Sequence, residues 1–292
     1  MQSGRRAVVG ILRTVVDRTP LAVLVLVIGL AGGRRAWAQV DKLPKGEDVL
    51  EKSIEAMGGK AALEKIHSRI SKGTMDVPAA KIKGTVTIYE AAPNKNYTII
   101  DIEGEGKSES GSDGTVQWEI SARGGPQLLA GEEKALSERQ NTFNGALYWR
   151  KLYKSVECVG VEEVDGRLCY KLVLTPQAGQ PEIDFYDQKT YLPVKNSLSL
   201  KGPTGNVTID LIPSDYKKVD GVLIAHTVTQ KVMGMEQILT LKSLEQNVDI
   251  PADRFALPAP IKALVEKGKA ESKPAGGEKG APTPGEPKKD KP

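Results

Sequence analysis

From residue 82 onward, apolar residues recur at every second position, in short runs separated by turn dipeptides. A period of two is the mark of strands with one buried face. The clearest case is Val156–Glu163 and Leu168–Thr175, which flank Asp165-Gly166, a strong two-residue hairpin turn. If those two residues form the turn, facing positions sum to 331, so Val159 faces Leu172 and Val161 faces Tyr170. Leu168 and Leu174 share that apolar face, while Glu162, Lys171, Cys158 and Cys169 fall on the other. Such a hairpin predicts an antiparallel sheet with one side on a core.

Other runs repeat the signal. Ile82, Val86 and Ile88 lie on one face, and Tyr97–Ile102 follows the turn 92–96. Val116, Trp118 and Ile120 alternate after Ser112-Asp113-Gly114. Further strands are predicted at 183–186, 194–200, 207–212, 222–232 and 237–244, with Asp220-Gly221 and Met233-Gly234 among their turns. The count is about ten strands, and a twisted antiparallel sheet of that size must curl. Ahead of them, Glu47–Met57 has helical spacing and stops at Gly58-Gly59, and Lys60–Ile66 is a second helical piece. Gly131–Asn141 reads as a helix, and 146–153 fits either state. The predicted class is mainly β (α+β): a strongly curved antiparallel sheet or half-barrel, with helices covering the concave side.

The two ends separate from this domain. Residues 1–38 hold early arginines, an 11-residue apolar or glycine run from Leu21 to Ala31, and Ala36-Trp37-Ala38. These are the three parts of a secretory signal, cleaved after Ala38. The alternative is an uncleaved N-terminal membrane anchor, for which the run is short. The leader carries six Arg and one Asp against a whole-chain charge of +4, so the remainder is near −1 and offers no net basicity to a nucleic acid. Residues 266–292 are Lys-, Pro-, Glu- and Gly-rich and too poor in apolar side chains to fold. One exported domain over 39–265 remains, read as a monomer working in the periplasm. In the 331 register its two cysteines sit roughly 13 Å apart along the strand, which predicts two free, partly buried thiols.

Signatures of catalysis are missing. The sequence has no nucleophile elbow, phosphate loop or zinc-protease helix, and its only histidines are His67 and His226. Nothing calls for a metal or a cofactor, and the chain reads as a non-enzyme.

Four stretches resemble the Lol-type periplasmic carriers and the wider group of outer-membrane lipoprotein-sorting proteins. They are Gly84–Tyr89 with Pro93-Asn94, then Ser112-Asp113-Gly114 through Trp118, then Tyr186–Val194 with its D-x-x-T-x-x-P pattern, and Pro251–Pro258 with D-x-F-x-x-P. Together they span most of residues 47–258. The resemblance implies a half-barrel whose hydrophobic hollow holds acyl chains under a helical lid. Lipid or an acylated lipoprotein is then the ligand, and membrane proteins of the envelope are further partners. The family's lid-tying arginine precedes the Pro-Asn; here that position is Ala92. Candidate lining residues are Tyr97, Ile99, Trp118, Ile120, Val159, Val161, Tyr170, Leu172, Ile209, Leu239 and Leu241, with Trp118 expected to touch ligand. Two other functions fit the pattern. A structural or interaction module of the cell envelope would fill the sheet with its own side chains. A hydrolase would need His226 and an acid to converge.

Overall fold

The structure is a computed structural model that describes residues 43–271, apart from 123, 203 and 204. The leader 1–38 and the tail beyond 271 lie outside the described residues.

Thirteen strands form one antiparallel sheet. The first meander is β1 (Ser68–Val77), β2 (Ile82–Ala91), β3 (Lys95–Ile102), β4 (Gly106–Ser112), β5 (Gln117–Ser121) and β6 (Gly125–Leu128). The second is β7 (Tyr153–Val164), β8 (Arg167–Pro176), β9 (Glu182–Asp187), β10 (Pro193–Gly202), β11 (Gly205–Val219), β12 (Val222–Val232) and β13 (Met235–Gln246). Within each meander sequential strands pair, and the meanders join through β1 and β13, leaving β6 and β7 as the two free edges. The sheet is open, not a closed barrel.

Turn chemistry sets the register. Asp165-Gly166, Asp220-Gly221 and Met233-Gly234 all have φ between 48° and 89°, the left-handed pair that a two-residue hairpin requires. The resembling motifs are also turn makers. Asp113 Oδ1 accepts the amides of Thr115 and Val116 at 2.8 and 2.9 Å, and Asp187 Oδ1 accepts those of Lys189 and Thr190 at 2.8 Å. Asn94 Nδ2 donates to the Gly114 carbonyl at 2.9 Å, tying the Pro-Asn turn to the Ser-Asp-Gly turn.

The sequence register holds near the tip of the β7–β8 hairpin, where Val161 faces Tyr170 and Glu162 faces Cys169. A bulge between Cys158 and Gly160 then shifts it by one, so Cys158 faces Leu172 and Val159 loses its partner. This corrects the Val159–Leu172 pairing. It also moves Cys158 onto the Leu172 face while Cys169 stays on the other. Both thiols are free, and the sheet itself lies between them. The bulge leaves Val159 exposed, and Val161 and Leu168 at the hairpin tip are exposed as well. Leu172 and Leu174 alone carry the burial expected of that face.

Helices α1 (Gly46–Ala56) and α2 (Lys60–Leu63) lie close to their predicted spans. Val49, Leu50 and Ile54 of α1 and Leu63 of α2 pack with Trp149, Val156, Leu172, Leu174 and Tyr186 into the largest core cluster. A Cβ on Gly46 would fall 2.6 Å from the Val156 carbonyl oxygen, so glycine lets α1 settle directly on β7. Three strands, β1, β4 and β6, carry too many polar and glycine residues to show an alternating pattern, which is why the sheet exceeds the ten read from sequence. Helix α5 (Ala259–Glu271) runs past the 265/266 boundary placed on composition. Ile261 on it is fully buried.

Leu172 has no solvent exposure, whereas Val161 is 44 % exposed. Leu172→Ala should cost about 2–5 kcal/mol through cavity formation. Val161→Ala should change stability by under about 0.5 kcal/mol. Urea unfolding of both variants measures the difference.

Candidate functional site: a hollow under a strapped helix

The chain leaves the sheet at edge β6 and re-enters at edge β7. The segment between them crosses the concave side as α3 (Gly131–Gln140), a 3-10 turn at Gly145–Tyr148 and α4 (Trp149–Leu152). Between α3 and the sheet lies a hollow of about 760 Å³. Its wall includes Val86, Ile88, Ile100, Leu198, Ile209 and Leu239, with Leu136 of α3 facing them.

Apolar packing holds α3 only in part: Leu136 is half-buried against Leu198, Ile209 and Val232, and no residue of the helix is buried as a whole. Polar bonds do the rest. At its C-terminal end Arg139 Nε and Nη2 donate to Glu182 Oε1 at 2.9 and 2.6 Å, with both side chains almost fully buried. Arg139 Nη1 donates to the Ala178 carbonyl at 2.7 Å, and Tyr153 OH donates to Glu182 Oε2 at 2.8 Å. Burial and the Glu182 charge push the Tyr153 phenol far above its ordinary range, so it stays a neutral donor. Toward the other edge, Ser137 Oγ donates to Gln117 Oε1 at 3.0 Å, and Gln117 Nε2 donates to Ser112 Oγ at 2.9 Å. The helix is thus strapped to β5 near one free edge and to β9 near the other. Asn144 extends the strap, donating to the carbonyls of Leu63 and Ile66 at 2.8 and 3.2 Å. Ala92, at the resembling family's arginine position, takes no part: its amide donates to the His67 carbonyl at 2.9 Å. Here the tying arginine comes from the helix itself.

Next to Glu182 on the same face stands Asp184. It accepts from Asn196 Nδ2 and, at 3.1 Å, from Tyr186 OH. Burial pushes its carboxyl up to about 6; the Asn196 bond opposes this, the Glu182 charge adds to it, and the Tyr186 bond opposes it. Asp184 is partly exposed and lines a second, smaller cavity.

Cross-strand register sorts the predicted lining residues. Ile209 and Leu239 face the hollow, and Leu241 shares their face two positions along β13 from Leu239. Leu172 and Tyr170 share that face but lie at the α1 end: Leu172 belongs to the helical core, and Tyr170 packs against that core and stacks on Tyr191 at 5.9 Å. Tyr97, Ile99, Trp118 and Ile120 are on the other side of the sheet. Tyr97 faces Gly111, which faces Trp118, and the Tyr97 and Trp118 rings lie 5.8 Å apart. Ile99 faces Glu109, which faces Ile120. Trp118 and Ile120 do border a bay of about 270 Å³ beside α3, together with Glu119, while the alternate residue Gln117 is the one bonded to α3. The aromatic row is covered instead by the C-terminal segment, where the Arg254 guanidinium lies 4.7 Å from the Tyr89 ring centre. Trp118, expected at the ligand, is 3 % exposed within that row. Val159 and Val161 stand exposed on the edge strand. Sequence reasoning missed Arg139, Glu182, Tyr153 and Gln237, because nothing in an alternation pattern marks an isolated polar residue on an apolar face.

His226 Nδ1 lies 2.9 Å from the Ile224 carbonyl oxygen. Among the described residues no three His, Cys, Asp or Glu side chains come together as metal ligands.

Two measurements test the polar belt. Arg139→Met strands the Glu182 carboxylate and should cost about 3–5 kcal/mol, more than removing both partners together. The unfolded Asp184 carboxyl titrates near 3.9, roughly two pH units below its folded value. The folded state therefore binds the extra proton between about pH 4 and 6, and stability falls as pH rises through that window, by up to about 3 kcal/mol. Asp184→Asn should flatten that slope in denaturant unfolding at pH 4.5 and 7.

No family model matches the sequence, and no curated protein sequence matches it either. Solved structures do match. A putative outer membrane lipoprotein-sorting protein domain from Vibrio parahaemolyticus superposes with a TM-score of 0.51 at 18 % identity, over 72 % of this chain and 97 % of that one. A LolA superfamily protein from Nitrosomonas europaea gives 0.52 at 13 % identity, over 74 % and 99 %. A DUF1329 family protein from Desulfovibrio piger gives 0.52 at 13 %, over 73 % and 98 %. At these identities the likeness is one of fold: the chain has a LolA-like architecture.

Proposed function

We propose that this chain is an exported carrier that shelters the acyl chains of a lipid or a lipoprotein in the hollow beneath α3, with no reaction of its own. The observation that carries the reading is the unfilled, mainly apolar hollow of about 760 Å³ under a helix that sends only Leu136 into apolar packing with its wall. Ligand sites usually measure several hundred Å³ and are lined mainly by apolar groups. Each methylene moved from water to such a wall gains roughly 0.8 kcal/mol, so a long acyl chain supplies ample affinity without a charged anchor.

The α1 half of the concave side is packed mostly by its own side chains, with a smaller space of about 310 Å³ left among them, whereas the α3 half holds the larger hollow. That asymmetry favours the carrier over the module. One polar feature fits a ligand's head region. Gln237 is 4 % exposed on the hollow's wall, and its Oε1 has no hydrogen-bond partner. A hydroxyl or amide donor at the end of an acyl chain would satisfy it. The likeness in fold to a lipoprotein-sorting domain supports the same ligand class. The leader-like sequence of residues 1–38 supports work outside the cytosol; the proposed compartment is the periplasm, with envelope membrane proteins as donors and acceptors of the cargo.

Native mass spectrometry of the protein purified from a bacterial periplasm should show a bound mass that extraction identifies as lipid or acylated peptide. Ile209→Glu, which puts a charge on the hollow's wall, should weaken binding of a fluorescent fatty acid at least tenfold. Trp118→Ala, on the far face, should leave that binding unchanged while lowering stability. A clean apo mass with no fatty-acid binding sinks the carrier reading.

A further inference from the structure

Beside the hollow, beneath α1, lies a separate chamber of about 310 Å³. Leu50, Ile54, Trp149, Leu152 and Leu174 give it apolar sides. The Arg139–Glu182–Tyr153 group stands between the two spaces, since Arg139 and Tyr153 border both. We infer that this chamber is a second binding site, for a small amphiphile carrying one protonated primary amine.

Two side chains on opposite walls define the polar end. From the sheet, Asp184 lines the chamber with a carboxyl whose only side-chain partners are neutral, Asn196 and Tyr186. A carboxylate offers about four acceptor positions, so two bonds leave it room for a donor. From α1, Ser53 lines the chamber at 2 % exposure, and its Oγ has no hydrogen-bond partner. A buried hydroxyl without a partner is costly. A group with several N–H donors answers both needs, since it can donate to the carboxylate and to the serine oxygen together.

The charge balance selects a cation. Arg139 borders the chamber, but its guanidinium is matched by Glu182 at 2.6 Å. Asp184 adds a second carboxylate, leaving one uncompensated negative charge. The remaining groups around it add no positive charge. Tyr153 on β7 and Tyr186 on β9 are phenols held neutral by burial, as is Tyr216 on β11. On α1, Lys52 is turned to the Tyr191 hydroxyl at 3.2 Å, and Glu51 is taken by Arg150 and the Trp149 indole at 2.8 and 3.1 Å. An anion would be repelled. A neutral alcohol would satisfy Ser53 and leave the carboxylate's charge in place. Burial holds the empty carboxyl near 6, and a bound ammonium would pull it down, so binding releases a proton at mildly acidic pH.

The test is calorimetry on the full-length protein with n-hexylamine, n-hexanol and hexanoate at pH 7.5 and pH 5. The amine should bind at least tenfold more tightly than the alcohol at pH 7.5, and that advantage should shrink at pH 5, where the carboxyl is protonated. Asp184→Asn should abolish the advantage at both values. Ser53→Leu, which fills the chamber, should remove amine binding while the fluorescent fatty acid still enters the hollow. That last readout separates this site from the carrier reading, which it neither needs nor supports. Equal affinity for amine and alcohol, or an amine preference that survives in Asp184→Asn or Ser53→Leu, overturns the proposal. If Asp184→Asn does not fold, the wild-type pH comparison and Ser53→Leu decide alone.

Discussion

Chain continuity between the two free edges of the sheet governs the rest of this molecule. Two meanders share one sheet because β1 pairs with β13, and that pairing leaves β6 and β7 at opposite margins. The chain must still pass from one margin to the other. It does so across the concave side, so the connection becomes the cover of a hollow. The helix that closes the site is the bridge the topology demands, and its position needs no apolar face of its own.

That origin accounts for how the cover is held. A helix that buried a broad apolar stripe would fill the space beneath it. α3 contributes only the half-buried Leu136 to apolar packing, and its main anchors are the Arg139–Glu182 pair at one end and the Ser137–Gln117 bond at the other. Hydrogen bonds to charged groups contribute roughly 1.5–3 kcal/mol each. A few of them hold the bridge without consuming the volume under it. The α1 end shows the opposite solution, with Val49, Leu50 and Ile54 packed onto Leu172 and Leu174. One half of the concave face is mostly core and the other half mostly space.

Much of the fold was legible because hairpin chemistry is local. Asp165-Gly166, Asp220-Gly221 and Met233-Gly234 announce their turns in two residues each, and the strands beside them are rich in apolar and β-branched residues. The strands that went unseen, β1, β4 and β6, hold runs such as Gly106–Ser112 in which glycine, serine and charge erase the period. The site was less legible. Alternation gives the relative face of neighbours within a strand but not which face is concave. Trp118 and Tyr97 were therefore assigned to the ligand side, although register puts them behind the sheet under Arg254. A single extra residue at Val159 was enough to turn Cys158 to the other face, and no composition signal marks a bulge. The residues that hold the cover are single polar side chains whose partners lie tens of residues away, as Arg139 and Glu182 do.

The β1–β13 pairing also has a consequence in time. Arg69 meets Gln246, and Asp76 meets Ile238, contacts that close a loop over most of the domain. Closing so long a loop is entropically unfavourable until the intervening strands have already condensed. A chain delivered N-terminus first therefore presents β1 with one edge bare while every later strand is still arriving. The first meander stays a half-finished sheet until the last strand docks. Throughout that interval the unpaired edge of β1 is the surface most open to wrong partners.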